Sequence, residues 1–109
     1  MTELCRLKIS HRDIKPHNIL LNITSTGEHF YKISDFGFAR FCTGKTVATV
    51  CGSPEYLHPE INEILFNNVV GKTNFIPQMD LWSIGATLFQ LATGRLPFSP
   101  FESTDYKTL

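Results

Sequence analysis

The sequence predicts an α+β chain, mostly helical, with one short β-hairpin. Three observations carry this reading. Two short apolar runs, Ile19-Leu20-Leu21 and Phe30-Tyr31-Lys32-Ile33-Ser34, flank a polar turn holding Thr26-Gly27, which is the pattern of paired strands around a glycine-bearing turn. The stretch from Pro77 to Gly94 has proline at its start, glycine at its end and Pro97 just beyond, the punctuation of a helix. With 109 residues, 42% of them apolar, the chain has enough for a core and room for at most one small domain.

Taken in order, residues 1–10 place Leu4, Leu7 and Ile9 at spacings that suit a short helix running into a loop. The loop is His11-Arg12-Asp13-Ile14-Lys15-Pro16-His17-Asn18, where Pro16 fixes φ and removes a donor, so order without a helix is expected. The hairpin follows and ends at Asp35-Phe36-Gly37, then a loop from Phe38 to Val50. Ile61, Ile64 and Leu65 predict a short helix, and Asn67 to Asn74 a polar connector. In the helix opened by Pro77, Leu81, Trp82, Ile84, Ala86, Leu88, Phe89, Leu91 and Ala92 cover almost every side, which predicts burial all round. Residues 95–109 read as the loop leaving that helix.

Composition excludes several function classes. Ten acidic and ten basic side chains cancel, so no strong field favours nucleic acid or an anionic membrane. The N-terminus lacks the apolar core of a signal peptide, and the run from Leu81 to Ala92, broken by Ser83, Thr87 and Gln90, is too short to cross a bilayer. Cys5, Cys42 and Cys51 are odd in number without a C-x-x-C pair, the usage of reduced thiols in a cytoplasmic protein. No His or Cys pair has the spacing of a zinc site. Gly44-Lys45-Thr46 and Gly71-Lys72-Thr73 end like P-loops, but the earlier glycine is replaced by Ala39 and Phe66.

The chemistry concentrates in the first loop. Asp13 can accept a proton from an attacking hydroxyl, and the Lys15 ammonium can neutralise charge on a transferred phosphate. The Asn18 carbonyl oxygen suits Mg²⁺, a hard cation, and the hairpin returns a second acid, Asp35, beside it. Gly37 lets the segment after Asp35 swing. Arg12, beside the acid, can clamp a phosphorylated side chain bidentately. Among Thr43, Thr46 and Thr49, the last is the first choice of acceptor by its place before Gly52-Ser53.

The order H-R-D-x-K-x-x-N, D-F-G, Gly52-Ser53-Pro54-Glu55-Tyr56-Leu57-His58-Pro59-Glu60 and Asp80-Leu81-Trp82-Ser83-Ile84-Gly85 resembles that of protein kinases over residues 10 to about 101. Lys15 two places after the acid is similar to the serine/threonine class. Glu55 to Glu60, the long connector, and Ala92 to Phe101 resemble the IκB-kinase-related group of innate immune signalling, typified by TANK-binding kinase. Asp35 to Arg40 and Cys51 to Pro54 look more like the autophagy-initiating kinases, whose connector is shorter. Two positions depart from the usual pattern: Ser10 stands where an apolar residue commonly precedes the motif's His, and His58 replaces the Ala of A-P-E.

The resemblance implies the large, C-terminal lobe of a kinase, incomplete, with residues 1–109 holding catalytic loop, activation segment and central helix but neither the nucleotide-covering lobe nor the final helices. It implies ATP and Mg²⁺ as cofactors, Ser/Thr hydroxyls of proteins as substrates, and activation by an upstream kinase or by trans-autophosphorylation. By it, Asp13 and Lys15 are catalytic, Asn18 and Asp35 hold the metal, Leu20 packs under the adenine or serves as plain core, and Ser53 seats the substrate hydroxyl. His11, Phe36, Glu60 and Asp80 become structural: Glu60 in a buried ion pair with an Arg that would lie later, and Asp80 accepting backbone N–H groups of the catalytic loop. The 109 residues alone are expected to fold poorly and be inactive, and the rival reading is an inactive truncated kinase acting as a binding module.

Overall fold

A computed structural model describes residues 2–42, 47–48, 51–66, 73–74 and 78–99. Helix α1 (Thr2–Arg6) is a single exposed turn closed by an Arg6–Glu3 ion pair, of the solvent-screened kind that adds little stability. The chain then turns through Lys8, in the left-handed region at φ 55°, into strand β1 (Ile9–Ser10). This lead-in pairs antiparallel with β4 (Arg40–Phe41), Ile9 opposite Phe41 and Ser10 opposite Arg40, a ladder no local pattern announced.

The expected hairpin is present as β2 (Ile19–Ile23) and β3 (His29–Ile33), paired from Ile19↔Ile33 to Ile23↔His29. Its turn is closed by the Gly27 N–H on the Thr24 carbonyl at 3.0 Å, with Gly27 at φ 84° where a side chain would be strained. Between β1 and β2 the loop is irregular as predicted, except that Pro16–Asn18 close one 3₁₀ turn with the proline at its first position. Strands β5 (Val47–Ala48) and β6 (Thr73–Asn74) form a further short antiparallel pair. Helix α2 (Pro59–Phe66) is the short helix predicted from Ile61, Ile64 and Leu65, and α3 (Met79–Thr93) is the long one. Pro77 lies outside the described residues, while the glycine stop is confirmed: Gly94 adopts φ 76° and its N–H caps the Gln90 carbonyl at 2.8 Å.

A small apolar cluster of Cys42, Leu57 and Ile61, with Met79 against it, ties α2 to the start of α3. Ile14 and Ala86 are also buried. Buried polar residues outnumber the apolar ones among the described residues, and they include Ser10, His11, Arg12, Asp13, Asn18, Asp80, Ser83 and Thr87. Among the described residues only one side of α3 is covered. Leu81, Leu88, Phe89 and Leu91 are exposed, whereas Asp80, Ser83, Ala86 and Thr87 are buried. The physical reason is that the face of α3 turned to the rest of the chain meets backbone polar groups of two loops, and only polar side chains can satisfy them.

Candidate functional site

Asp80 sets the shape of the first loop from 70 residues away. Its Oδ2 accepts the His11 N–H at 2.7 Å and its Oδ1 the Arg12 N–H at 3.1 Å, and the Ser10 hydroxyl donates to Oδ1 at 3.2 Å. A buried carboxylate that receives three donors is satisfied, and it fixes two consecutive amides in space. Ser10, fully buried, thus supplies a hydrogen bond where an apolar residue could not. Arg12 is driven to φ 70°, a strained angle for a non-glycine residue that the Asp80 contacts over-determine.

Held this way, the loop presents Asp13 to three neighbours. The Ser53 hydroxyl donates to Asp13 Oδ1 at 2.9 Å, and Lys15 Nζ donates to the Ser53 oxygen at 2.7 Å while standing 3.8 Å from Asp13 Oδ2. The Asn18 amide nitrogen donates to the Asp13 carbonyl at 2.8 Å and to Oδ2 at 3.2 Å. That commitment of the nitrogen leaves the amide oxygen as the acceptor available to a cation. Four side chains predicted from the letters, Asp13, Lys15, Asn18 and Ser53, form one hydrogen-bonded cluster.

Asp35 is held next door by its neighbour. The Ser34 N–H and hydroxyl both donate to the Asn18 carbonyl, at 2.8 and 3.2 Å, and the Ser34 carbonyl meets His11 Nε2 at 2.9 Å. The His11 ring also packs edge-on against Phe36, with centroids 4.9 Å apart. Asp35 itself is exposed, sits at φ 58° and its carboxylate accepts the Gly37 N–H at 3.2 Å. One carboxylate and one amide oxygen are a hard donor set that fits Mg²⁺, which commonly takes one or two carboxylates and leaves its remaining positions to water and phosphate. Among the described residues no group of three His, Cys, Asp or Glu could cage a metal.

The remaining predicted residues divide. Arg12 is buried, and its Nε donates to the Phe38 carbonyl at 2.5 Å, which ties the loop to the segment after Gly37. Thr49 lies outside the described residues. Leu20, opposite Lys32 in the two-stranded hairpin, is 55% exposed among the described residues. Glu60 is exposed in the first turn of α2, where its N–H donates to His58 Nδ1 at 3.3 Å; the Arg expected to pair with it would lie beyond residue 109.

Sequence reasoning missed the roles of five residues. Gly52, at φ 115°, lies so close to the loop that a Cβ there would sit 2.5 Å from the Arg12 carbonyl oxygen. Ser10 was noticed only as a departure. Ser83 donates to the Tyr56 carbonyl at 2.6 Å, and the Tyr56 hydroxyl donates to Gln90 Oε1 at 2.5 Å. A signal was available for the last set: on an otherwise apolar helix, polar residues recur at 80, 83, 87 and 90, one narrow face. Burial pushes the Tyr56 phenol and the Cys51 and Cys42 thiols above their ordinary values.

Comparison with known proteins agrees with this geometry. The protein kinase domain model matches residues 2–108. The chain is 44% identical over 102 residues to the inhibitor of nuclear factor kappa-B kinase subunit epsilon of Mus musculus, covering 93% of this chain and 14% of that protein. It is 47% identical over 92 residues to the serine/threonine-protein kinase ATG1b of Arabidopsis thaliana (84% and 12%), and 46% identical over 97 residues to unc-51 of Caenorhabditis elegans (83% and 10%). The chain therefore spans about an eighth of the length of these relatives. Its loop of acid, lysine and amide, its D-F-G segment and its family-wide match together establish that the chain belongs to the protein kinase family, among relatives of the serine/threonine class.

Proposed function

We propose that residues 1–109 contribute the catalytic loop, activation segment and central helix of the large lobe of a serine/threonine kinase that moves the γ-phosphoryl group of ATP to protein hydroxyls. The observation that carries this reading is the Ser53–Asp13–Lys15–Asn18 cluster, in which a hydroxyl already donates to the acid at 2.9 Å while an ammonium bridges to that oxygen at 2.7 Å. A substrate Ser or Thr hydroxyl seated beside Ser53 would donate to Asp13 in the same manner. As its oxygen attacks phosphorus, its proton passes to the Asp13 carboxylate and the bond to the ADP oxygen breaks. Lys15 lies where charge on the equatorial oxygens develops, and positioning with electrostatics supplies most of this catalysis. Asn18 and Asp35 would hold Mg²⁺, which when bound neutralises phosphate charge. Leu20, exposed on the hairpin, is an apolar surface for the adenine.

The test is phosphate transfer by the full-length protein to a Ser/Thr peptide with radiolabelled ATP. Asp13→Asn keeps the shape and removes the proton acceptor, so the rate falls about 10²–10⁴-fold. An unchanged rate would sink the reading.

Within the class, we infer the IκB-kinase-related branch. The segment Glu55 to Glu60 and the long connector support it, and the match to the epsilon subunit runs over 93% of the chain against 84% and 83% for the two autophagy-type relatives. Transfer to an inhibitor of nuclear factor kappa-B substrate, compared with a generic peptide, tests this. For regulation, Arg12 beside Phe38 is the proposed receiver of phosphate on Thr49. Full activity in Thr49→Ala would remove that assignment. No helix among the described residues is long and apolar enough to cross a membrane, and a cytoplasmic site of action is proposed on the cysteine usage.

A further inference from the structure

Ser34, one residue before Asp35, is where the hairpin is joined to the first loop. Its N–H donates to the Asn18 carbonyl at 2.8 Å, and its hydroxyl donates to the same oxygen at 3.2 Å. A carbonyl oxygen has two lone pairs, and one residue here supplies a donor to each. The N–H bond continues the β2–β3 ladder beyond Ile19↔Ile33, and any residue but proline could make it. The hydroxyl bond needs Ser or Thr. The Ser34 carbonyl is engaged as well. A backbone N–H can only donate, so the Asp13 N–H on His11 Nδ1 at 3.2 Å puts the ring proton on Nε2, which donates to that carbonyl at 2.9 Å. From the other side, the Asn18 N–H meets the Lys15 carbonyl at 3.0 Å, and its amide nitrogen meets the Asp13 carbonyl at 2.8 Å. Asn18 and Asp35 therefore stand on two backbones that meet at Ser34.

We propose that Ser34 is a positioning residue: its hydroxyl, as the second donor on the Asn18 carbonyl, fixes the spacing of the Asn18 and Asp35 side-chain oxygens that would hold Mg²⁺. Asp35 is exposed, and its carboxylate accepts an N–H two residues on, so its place relative to Asn18 is decided by the backbone that enters it. Without the hydroxyl the N–H bond remains, but the Ser34 peptide can pivot about that single contact. The two oxygens then no longer keep one preferred separation. Mg²⁺ demands near-ideal octahedral geometry and is sensitive to such a change. The metal part of this inference rests on the kinase reading above; the clamp itself does not.

Two variants of the full-length protein test it: Ser34→Ala removes the hydroxyl, and Ser34→Thr keeps it. The first readout is hydrogen exchange of the residue-34 amide, corrected for the intrinsic rate of each side chain. Ser34→Ala is expected to exchange about fivefold faster, the worth of one net hydrogen bond, with Ser34→Thr within about twofold of wild type. The second readout is binding of Mn²⁺, which shares the oxygen ligands of Mg²⁺, to the protein with ADP, followed by electron paramagnetic resonance. Its Kd is expected to rise about fivefold in Ser34→Ala and to return in Ser34→Thr. Peptide phosphorylation by Ser34→Ala then falls about fivefold at limiting Mg²⁺ and recovers at saturating Mg²⁺, a rescue that loss of folded protein does not show. Unchanged exchange or unchanged Mn²⁺ binding in Ser34→Ala would overturn the proposal. So would Ser34→Thr behaving like Ser34→Ala, or a rate deficit that saturating Mg²⁺ leaves in place. A wild-type protein that binds no Mn²⁺ with ADP would overturn the kinase reading and leave the exchange result to judge the clamp.

Discussion

At Gly52 the backbone passes so near Arg12 that even a methyl group has no room, and φ of 115° would strain any other residue there. Gly52→Ala must therefore push the Ser53 turn off the loop, at a cost of about 1–3 kcal/mol, measurable as a lowered melting temperature together with a faster Cys51 alkylation. Asp80→Asn exchanges an acceptor for an NH₂ that faces a backbone donor, with an expected loss of about 2–3 kcal/mol. Ser10→Ala, which removes one of three donors to the same carboxylate, is expected to cost about 1 kcal/mol. These values follow from urea denaturation of each variant. The letters made Asp13, Lys15 and Asn18 visible because phosphoryl chemistry constrains residue type within a few positions of one loop. Ser10, Gly52, Tyr56 and Gln90 carried no such mark, since each acts through a partner between 34 and 70 residues away and spacing speaks only to near neighbours.

For whole elements, α3 shows which of its sides meets the other described residues. Its leucines and Phe89 suggested a helix sheathed by apolar neighbours, yet Leu88 and Leu91 are more than 60% exposed while Thr87 is 2% exposed. The Thr87 hydroxyl has no hydrogen-bond partner among the described residues in that buried position. Thr87→Val, which keeps the shape and deletes the orphan hydroxyl, is thus expected to stabilise the protein by about 1 kcal/mol, whereas Leu91→Gln changes stability by less than about 0.5 kcal/mol. Opposite outcomes in thermal melts would show that the polar stripe is not the packed side. The hairpin was easier to read, because two short apolar runs around Thr26-Gly27 are a local signal; the strands extend to Ile23 on one side and begin at His29 on the other. The β1–β4 ladder was not readable, since two-residue strands carry no periodicity and owe their pairing to where the loops bring them.

Across the molecule, three weak acids are held neutral by burial: the thiols of Cys42 and Cys51 and the Tyr56 phenol, all raised chiefly by desolvation. A group whose value is raised in the folded state binds its proton more tightly there, so unfolding releases protons once the pH passes the ordinary values, about 8.5 for thiols and 10 for phenols. The contribution of these three groups to stability is therefore expected to be level below about pH 8 and to fall as the pH climbs through 8.5–10. Melting temperatures at intervals across that range check the sign. The contact that organises everything else, Asp80 on the His11 and Arg12 amides, joins segments 68–70 residues apart. Ribosomes build proteins from the N-terminus, so the loop emerges long before the carboxylate that will discipline it, and distant closures are the slow ones. A nascent chain stalled short of residue 80 would carry those two amides open to deuterium, and they would gain protection only after α3 has cleared the exit tunnel.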